Sequence, residues 1–203
     1  MAIQMQKTLR TSVSIQGTSL HTGQPVKLTI KPADVNTGLK FRRIDLPDKP
    51  FIDASAANVQ TVERATTLAE GSVNVHTVEH ILSALTGMGV DNAIIEMDSN
   101  EPPIGDGSAA PYVELIKKAG LEEQDAPCQV WEIREPVMVE NKSGSMIVIM
   151  PDRQFRVSVT VSGPEGRVTQ YFHSVITPET YEKELSRART FCFYEDIQPL
   201  LDK

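Results

Sequence analysis

Residues 76–80 read His76-Thr77-Val78-Glu79-His80: two imidazoles four apart, with a carboxylate beside the second. These are residue types that can bind zinc and take a proton from water. The string fits H-x-x-E-H, the inverted zinc-peptidase signature, in which both histidines hold the metal and the glutamate activates water. Two histidines at this spacing share a metal only when both sit on one helix. Thr77 is an N-cap residue type, and a cap there leaves His76 outside the helix and aimed elsewhere. The plainer account of the five residues is a solvated polar face.

The element that must position them is a helix over about 77–88, closed by Gly87 and Gly89. At about 100° per residue, Val78, Ile81, Leu82 and Leu85 share one stripe, which should bury. His76, Glu79 and His80 fall on nearly the opposite side, toward solvent or a partner surface. Strands precede the helix. TSVSIQG (11–17), PVKLTIKP (25–32) and GLKFRRID (38–45) alternate with period two, and RATTLAEGSVNV folds around a Glu70-Gly71 turn. DNAIIEM (91–97) reads as a buried strand, EPPIGDGSAAP as a loop, and PYVELIKKAG (111–120) as a second helix ending at Gly120.

LEEQDAP (121–127) is polar, ends in proline and lacks periodicity, so it is the expected boundary between two domains, 1–125 and 126–203. Beyond it come strands at 129–141, 145–151, 154–163 and 168–176, then a helix over 177–189 capped by Thr177. VKLTIKPADVNTGLKFRRID and SMIVIMPDRQFRVSVTV share one pattern of apolar strand, proline, short connector and strand. The expected fold is α+β: two similar layered sheet-plus-helix domains facing each other, the second incomplete.

Composition excludes several classes. A net charge of −7 argues against general nucleic-acid binding, and the densest basic cluster is only Lys183, Arg187 and Arg189. A local basic pocket for an anionic small molecule remains compatible with an acidic chain. No run approaches the roughly 20 apolar residues of a membrane span, and MAIQMQKTLRTSV lacks the apolar core of a secretory signal. Cys128 and Cys192 form no CxxC pair, which fits a reducing cytoplasm.

Four segments, SLHTG (19–23), TVEHILSALTGMGVDN (77–92), EPPIGDGSAAPYVELIKKAG (101–120) and SRARTF (186–191), resemble the UDP-3-O-acyl-N-acetylglucosamine deacetylase family of lipid A synthesis. The likeness runs from about residue 7 to the last residue. It implies a zinc site between two domains and metal-assisted amide hydrolysis of an acylated UDP-sugar, releasing acetate. By the same resemblance Glu79 is the general base and His80 the first zinc ligand, while His76 is not a ligand, against the inverted-peptidase reading. Thr190 matches an oxyanion-stabilising threonine. His21, Phe191 and Asp196 match substrate contacts, and Asp106 matches the aspartate of the DGS turn that supports the site. Some members of the family carry a dehydratase domain downstream.

The family completes its zinc site with a histidine and an aspartate four apart in the second domain, and with a later histidine. None follows here: His173 has Thr177 four residues on. The expectation is therefore a chain corresponding to the first two-thirds of such an enzyme, poor at binding zinc, inactive alone, and with Ile147, Val148 and Ile149 uncovered. A competing expectation is a UDP-sugar-binding module without chemistry. Zinc stoichiometry measured together with UDP-sugar binding separates the two.

Overall fold

The computed structural model describes residues 4–163, 166–190, 193, 194 and 198, and the predicted substrate contacts Phe191 and Asp196 lie outside them. Five strands open the chain: β1 (Met5–Leu9), β2 (Val13–Thr18), β3 (Pro25–Pro32), β4 (Leu39–Arg43) and β5 (Phe51–Asp53). A small sheet of β6 (Val59–Thr61), β7 (Thr67–Glu70) and β8 (Val73–Val75) leads into helix α1 (Glu79–Gly87). Strand β9 (Ala93–Met97), helix α2 (Ala110–Ala119) and strand β10 (Leu121–Pro127) follow. Then come β11 (Val137–Glu140), β12 (Met146–Ile149), β13 (Arg156–Val161), β14 (Gln170–Val175) and α3 (Pro178–Thr180), which continues as a π-helical turn over Tyr181–Leu185.

The central sheet runs β2-β3-β9-β4-β5. β9 lies antiparallel to β3 and parallel to β4, with Ile95 opposite both Ile30 and Phe41. Parallel neighbours need a long crossover, and the chain from β5 through α1 provides it. Alternation does the rest. Val26, Leu28 and Ile30 of β3 and Ala93, Ile95 and Met97 of β9 are buried, as are Ile81, Ala84 and Leu85 of α1 and Tyr112, Val113 and Ile116 of α2. Sheet and helices share one apolar cluster, and each fully buried large side chain contributes about 1.5–3 kcal/mol. The expected apolar stripe on α1 is thus the buried one, and α2 ends as expected at Gly120, whose φ of 69° suits glycine.

Three expectations are corrected. LEEQDAP, read as lacking periodicity, forms the regular strand β10, paired antiparallel with β1. Its Glu122, Glu123 and Asp125 point to solvent, so an edge strand protected by charges hid behind a loop-like composition. The predicted strand over 129–141 shrinks to Val137–Glu140. The predicted helix over 177–189 gives up its α geometry after Thr180 and ends near Leu185, although Thr177 does cap it: Thr180 N–H donates to the Thr177 hydroxyl at 3.2 Å, and Thr177 N–H donates to the Thr180 hydroxyl at 2.9 Å.

The two hairpin pairs recur in order, β2-β3 with β4-β5 and β11-β12 with β13-β14, but only the first two hairpins are joined into one sheet, by β9. Among the described residues beyond Ala126, only Ser174, Tyr181 and Ser186 are buried. Tyr181 reaches back onto α1, its hydroxyl 2.6 Å from that of Ser83 and its ring where a Cβ on Gly87 would sit. Lys117 of α2 meets Glu182 at 2.6 Å. The described structure is mixed α and β, and no helix in it is long and apolar enough to cross a membrane.

Candidate active site

α1 begins where the chemistry was expected, but not with the expected cap. Thr77 has a φ of +52°, rare for a β-branched residue. Its hydroxyl donates to Glu101 Oε1 at 2.8 Å instead of capping the helix, and Val78 takes the cap position without a side-chain cap bond. At that positive φ Thr77 does not have the extended backbone of a capping residue, and its hydroxyl serves the buried carboxylate instead.

One residue later Glu79 is exposed, at the helix end whose dipole favours negative charge. Its carboxylate accepts a short hydrogen bond from the Thr66 amide, and Val78 N–H donates to the Thr66 carbonyl at 3.4 Å. His80 is half-buried, and no hydrogen bond or ion pair engages its ring among the described residues. His76 lies outside the helix, as the sequence predicts. Its amide donates to the Asn100 carbonyl at 2.8 Å, and its Nδ1 sits 2.8 Å from the Thr67 hydroxyl. His76 and His80 are therefore not side by side on one helix, which removes the geometry an inverted zinc peptidase needs.

Glu101 is the residue that sequence reasoning missed. It is fully buried, and it accepts from the His21 amide at 3.0 and 3.1 Å, the Thr22 amide at 2.8 Å and the Thr77 hydroxyl. Burial raises its pKa, but the His21 and Thr22 amides and the Thr77 hydroxyl outweigh it and hold the carboxyl below the usual glutamate range. The only hint in the chain is a charged residue placed directly before Pro102-Pro103. His21 itself is exposed in the β2-β3 connection, closed by Ser19 N–H to Gln24 O at 3.0 Å.

Asp106 serves its own turn first, as its sequence context allows. It accepts from the Ser108 hydroxyl at 2.7 Å and the Ser108 amide at 3.1 Å, and the Ser108 hydroxyl accepts in turn from Ala110 N–H at the start of α2. The Ser108 hydroxyl is the chief reason its carboxyl lies below the ordinary aspartate range. Its second oxygen meets Arg189 at 3.4 Å, an exposed pair of little energetic weight that brings the residue before Thr190 beside the DGS turn. Thr190 is exposed. No direct hydrogen bond joins Glu79, His80, His21, Asp106 and Thr190 to one another.

Catalytic zinc takes three protein ligands. No three His, Cys, Asp or Glu side chains converge among the described residues. His80 offers one imidazole, so these residues do not by themselves fit the metal.

Comparison with known proteins gives the context. The chain is 41% identical over 201 residues to a protein of Porphyromonas gingivalis named bifunctional enzyme LpxC/FabZ, covering 98% of this chain and 44% of the relative. It is 44% identical over 198 residues to the UDP-3-O-acyl-N-acetylglucosamine deacetylase of Pseudomonas entomophila, covering 96% of this chain and 65% of the relative. It is 44% identical over 207 residues to the enzyme of that name from Saccharophagus degradans, covering 98% and 66%. The chain thus spans from under half to about two-thirds of these relatives' length. The family profile described as UDP-3-O-acyl N-acetylglycosamine deacetylase matches residues 6–203, and the chain belongs to that family.

Proposed function

We propose that the protein takes part in hydrolysis of the N-acetyl group of UDP-3-O-acyl-N-acetylglucosamine, a step of lipid A synthesis, and that Glu79 is its general base. The observation that carries this is an exposed carboxylate at the start of α1 beside an imidazole with no hydrogen-bond or ion-pair partner among the described residues, in a chain of the deacetylase family. Glu79 takes a proton from the attacking water as the acetamide carbonyl becomes tetrahedral. The C–N bond then breaks as its nitrogen takes up a proton, leaving acetate and a free amine. The Thr190 hydroxyl donates to the oxyanion, and His21, Phe191 and Asp196 contact the substrate. Asp106 braces the turn that faces Arg189.

His80 is proposed as one ligand of a zinc ion. The described residues do not complete that ligand set, so no step is drawn through the metal. Residues 1–125 and 126–203 are proposed as two sheet-plus-helix units, a reading supported by the confinement of nearly all buried apolar residues to the first. A cytoplasmic location and a downstream dehydratase domain complete the proposal, the latter supported by the bifunctional relative.

The test is acetate release from UDP-3-O-acyl-N-acetylglucosamine by the full-length protein. Glu79→Gln should lower kcat by about 10²–10⁴, the usual contribution of a general base. A rate unchanged by the substitution would overturn the assignment. The 203-residue chain alone is expected to turn over poorly, and a measurable rate that depends on Glu79 would reverse that part.

A further inference from the structure

We propose that Glu101 is a positioning residue, whose buried carboxylate locks the His21 loop to the Thr77 turn and thereby sets how α1 presents Glu79 and His80. This rests on the roles proposed above for His21, Glu79 and His80, although its test does not.

Two charged side chains are buried among the described residues. One, Arg43, is paired with Asp45 at 2.7 Å. The other, Glu101, has no cation and is satisfied by dipoles alone. Removing a carboxylate from water without a counter-ion is expensive unless several donors converge on it. The donors come from two loops distant in sequence. Oε2 takes the Thr22 amide, Oε1 takes the Thr77 hydroxyl, and the His21 amide lies within reach of both oxygens.

Each tied segment leads directly to a candidate site residue. His21 is itself held by its backbone, which leaves its imidazole exposed. Thr77 is kept at φ +52°, and from there the chain enters α1 through Val78, whose amide bonds the Thr66 carbonyl while the Thr66 amide bonds Glu79. Releasing the Thr77 hydroxyl frees a β-branched residue from a backbone region it otherwise avoids, and the first turn of α1 must move with it. A residue serving stability alone would leave the Glu79 contact untouched.

The Thr66 amide is therefore the reporter, because it touches Glu79 and not Glu101. Amide ¹H–¹⁵N spectra of the 203-residue chain test the proposal. In Glu101→Gln, the amides of His21 and Thr22 should lose the downfield shift of a bond to a carboxylate. The Thr66 amide should move as well, while core amides such as Ile30 and Ile95 stay. In Thr77→Val, which keeps the shape and removes the hydroxyl, Thr66 should move while His21 and Thr22 hold.

Thr66 unmoved in Thr77→Val, with the core spectrum intact, would overturn the proposal and leave Glu101 a simple loop staple. So would a general loss of dispersion in Thr77→Val that singles out no site. Should Glu101→Gln fail to fold, Thr77→Val decides alone. None of these shifts depends on turnover, so an inactive wild-type protein would count against the deacetylase reading only.

Discussion

Strands β3 and β12 are written in nearly the same apolar alphabet, yet they end in opposite environments. Leu28 and Ile30 of β3 are completely buried, whereas Ile147 of β12 is 70% exposed. Strand β3 has β9 as its neighbour and the helices α1 and α2 in its apolar cluster. Strand β12 has β11 alone, and every residue of that hairpin is exposed, including Val137, Met138 and Val139. An apolar strand does not carry its burial with it; the covering layer supplies it. A lone two-stranded hairpin is marginal in water, and its contiguous apolar surface is of the kind that drives association.

The largest expected effect tests that contrast directly. Ile95→Ala should cost about 2–5 kcal/mol, and Ile147→Ala should stay within about 0.5 kcal/mol. Urea unfolding followed by far-UV circular dichroism measures both, because the single tryptophan, Trp131, is 90% exposed and reports poorly on the core. A comparable loss at Ile147 would mean that something covers β12 in solution.

The second test strikes the contact that joins the regions. A Cβ on Gly87 would lie 2.4 Å from the Tyr181 ring, so Gly87→Ala should destabilise by about 1–3 kcal/mol through overpacking. Adding Tyr181→Ala should relieve the clash, so the double variant loses less than the sum of the two. Additive losses would show that the ring does not rest on α1.

The smallest effect is the pH dependence of stability. Burial opposes ionisation of Glu96, but Lys31 and Arg42 hold its pKa below 4.5, and the amides and hydroxyl around Glu101 do the same there. Depressed carboxyl pKa values contribute stability that is present above the ordinary value and lost as the pH falls through the lowered ones. Melting temperature should therefore fall below about pH 4.5, and Glu101→Gln should flatten part of that limb. On the alkaline side, burial pushes the Tyr112 phenol well above 10, so its contribution is present below pH 10 and lost above it. An acid limb identical in Glu101→Gln would show that this carboxyl titrates alike folded and unfolded.

Much of the first region was legible. The alternation in β3 and β9, the stripe on α1 and the stop at Gly120 follow from periods and turn chemistry that each residue carries locally. His76 outside the helix was equally readable. The strand β10 was not, because Glu122, Glu123 and Asp125 are as suited to an edge strand as to a loop, and only β1 chooses between them. Thr77 was misread as a cap for a similar reason: the group its hydroxyl serves, Glu101, is 24 residues away in sequence.

By itself the sequence determined the periodicities, the stop of α2 at Gly120 and the four segments that mark the deacetylase family, since all of these are written within short windows of chain. Only the tertiary structure decided that β9 enters between β3 and β4, that β10 closes against β1, and that a carboxylate before two prolines is buried beneath both His21 and Thr77. Those outcomes depend on which distant groups meet, and a buried charge survives only where enough donors happen to converge upon it.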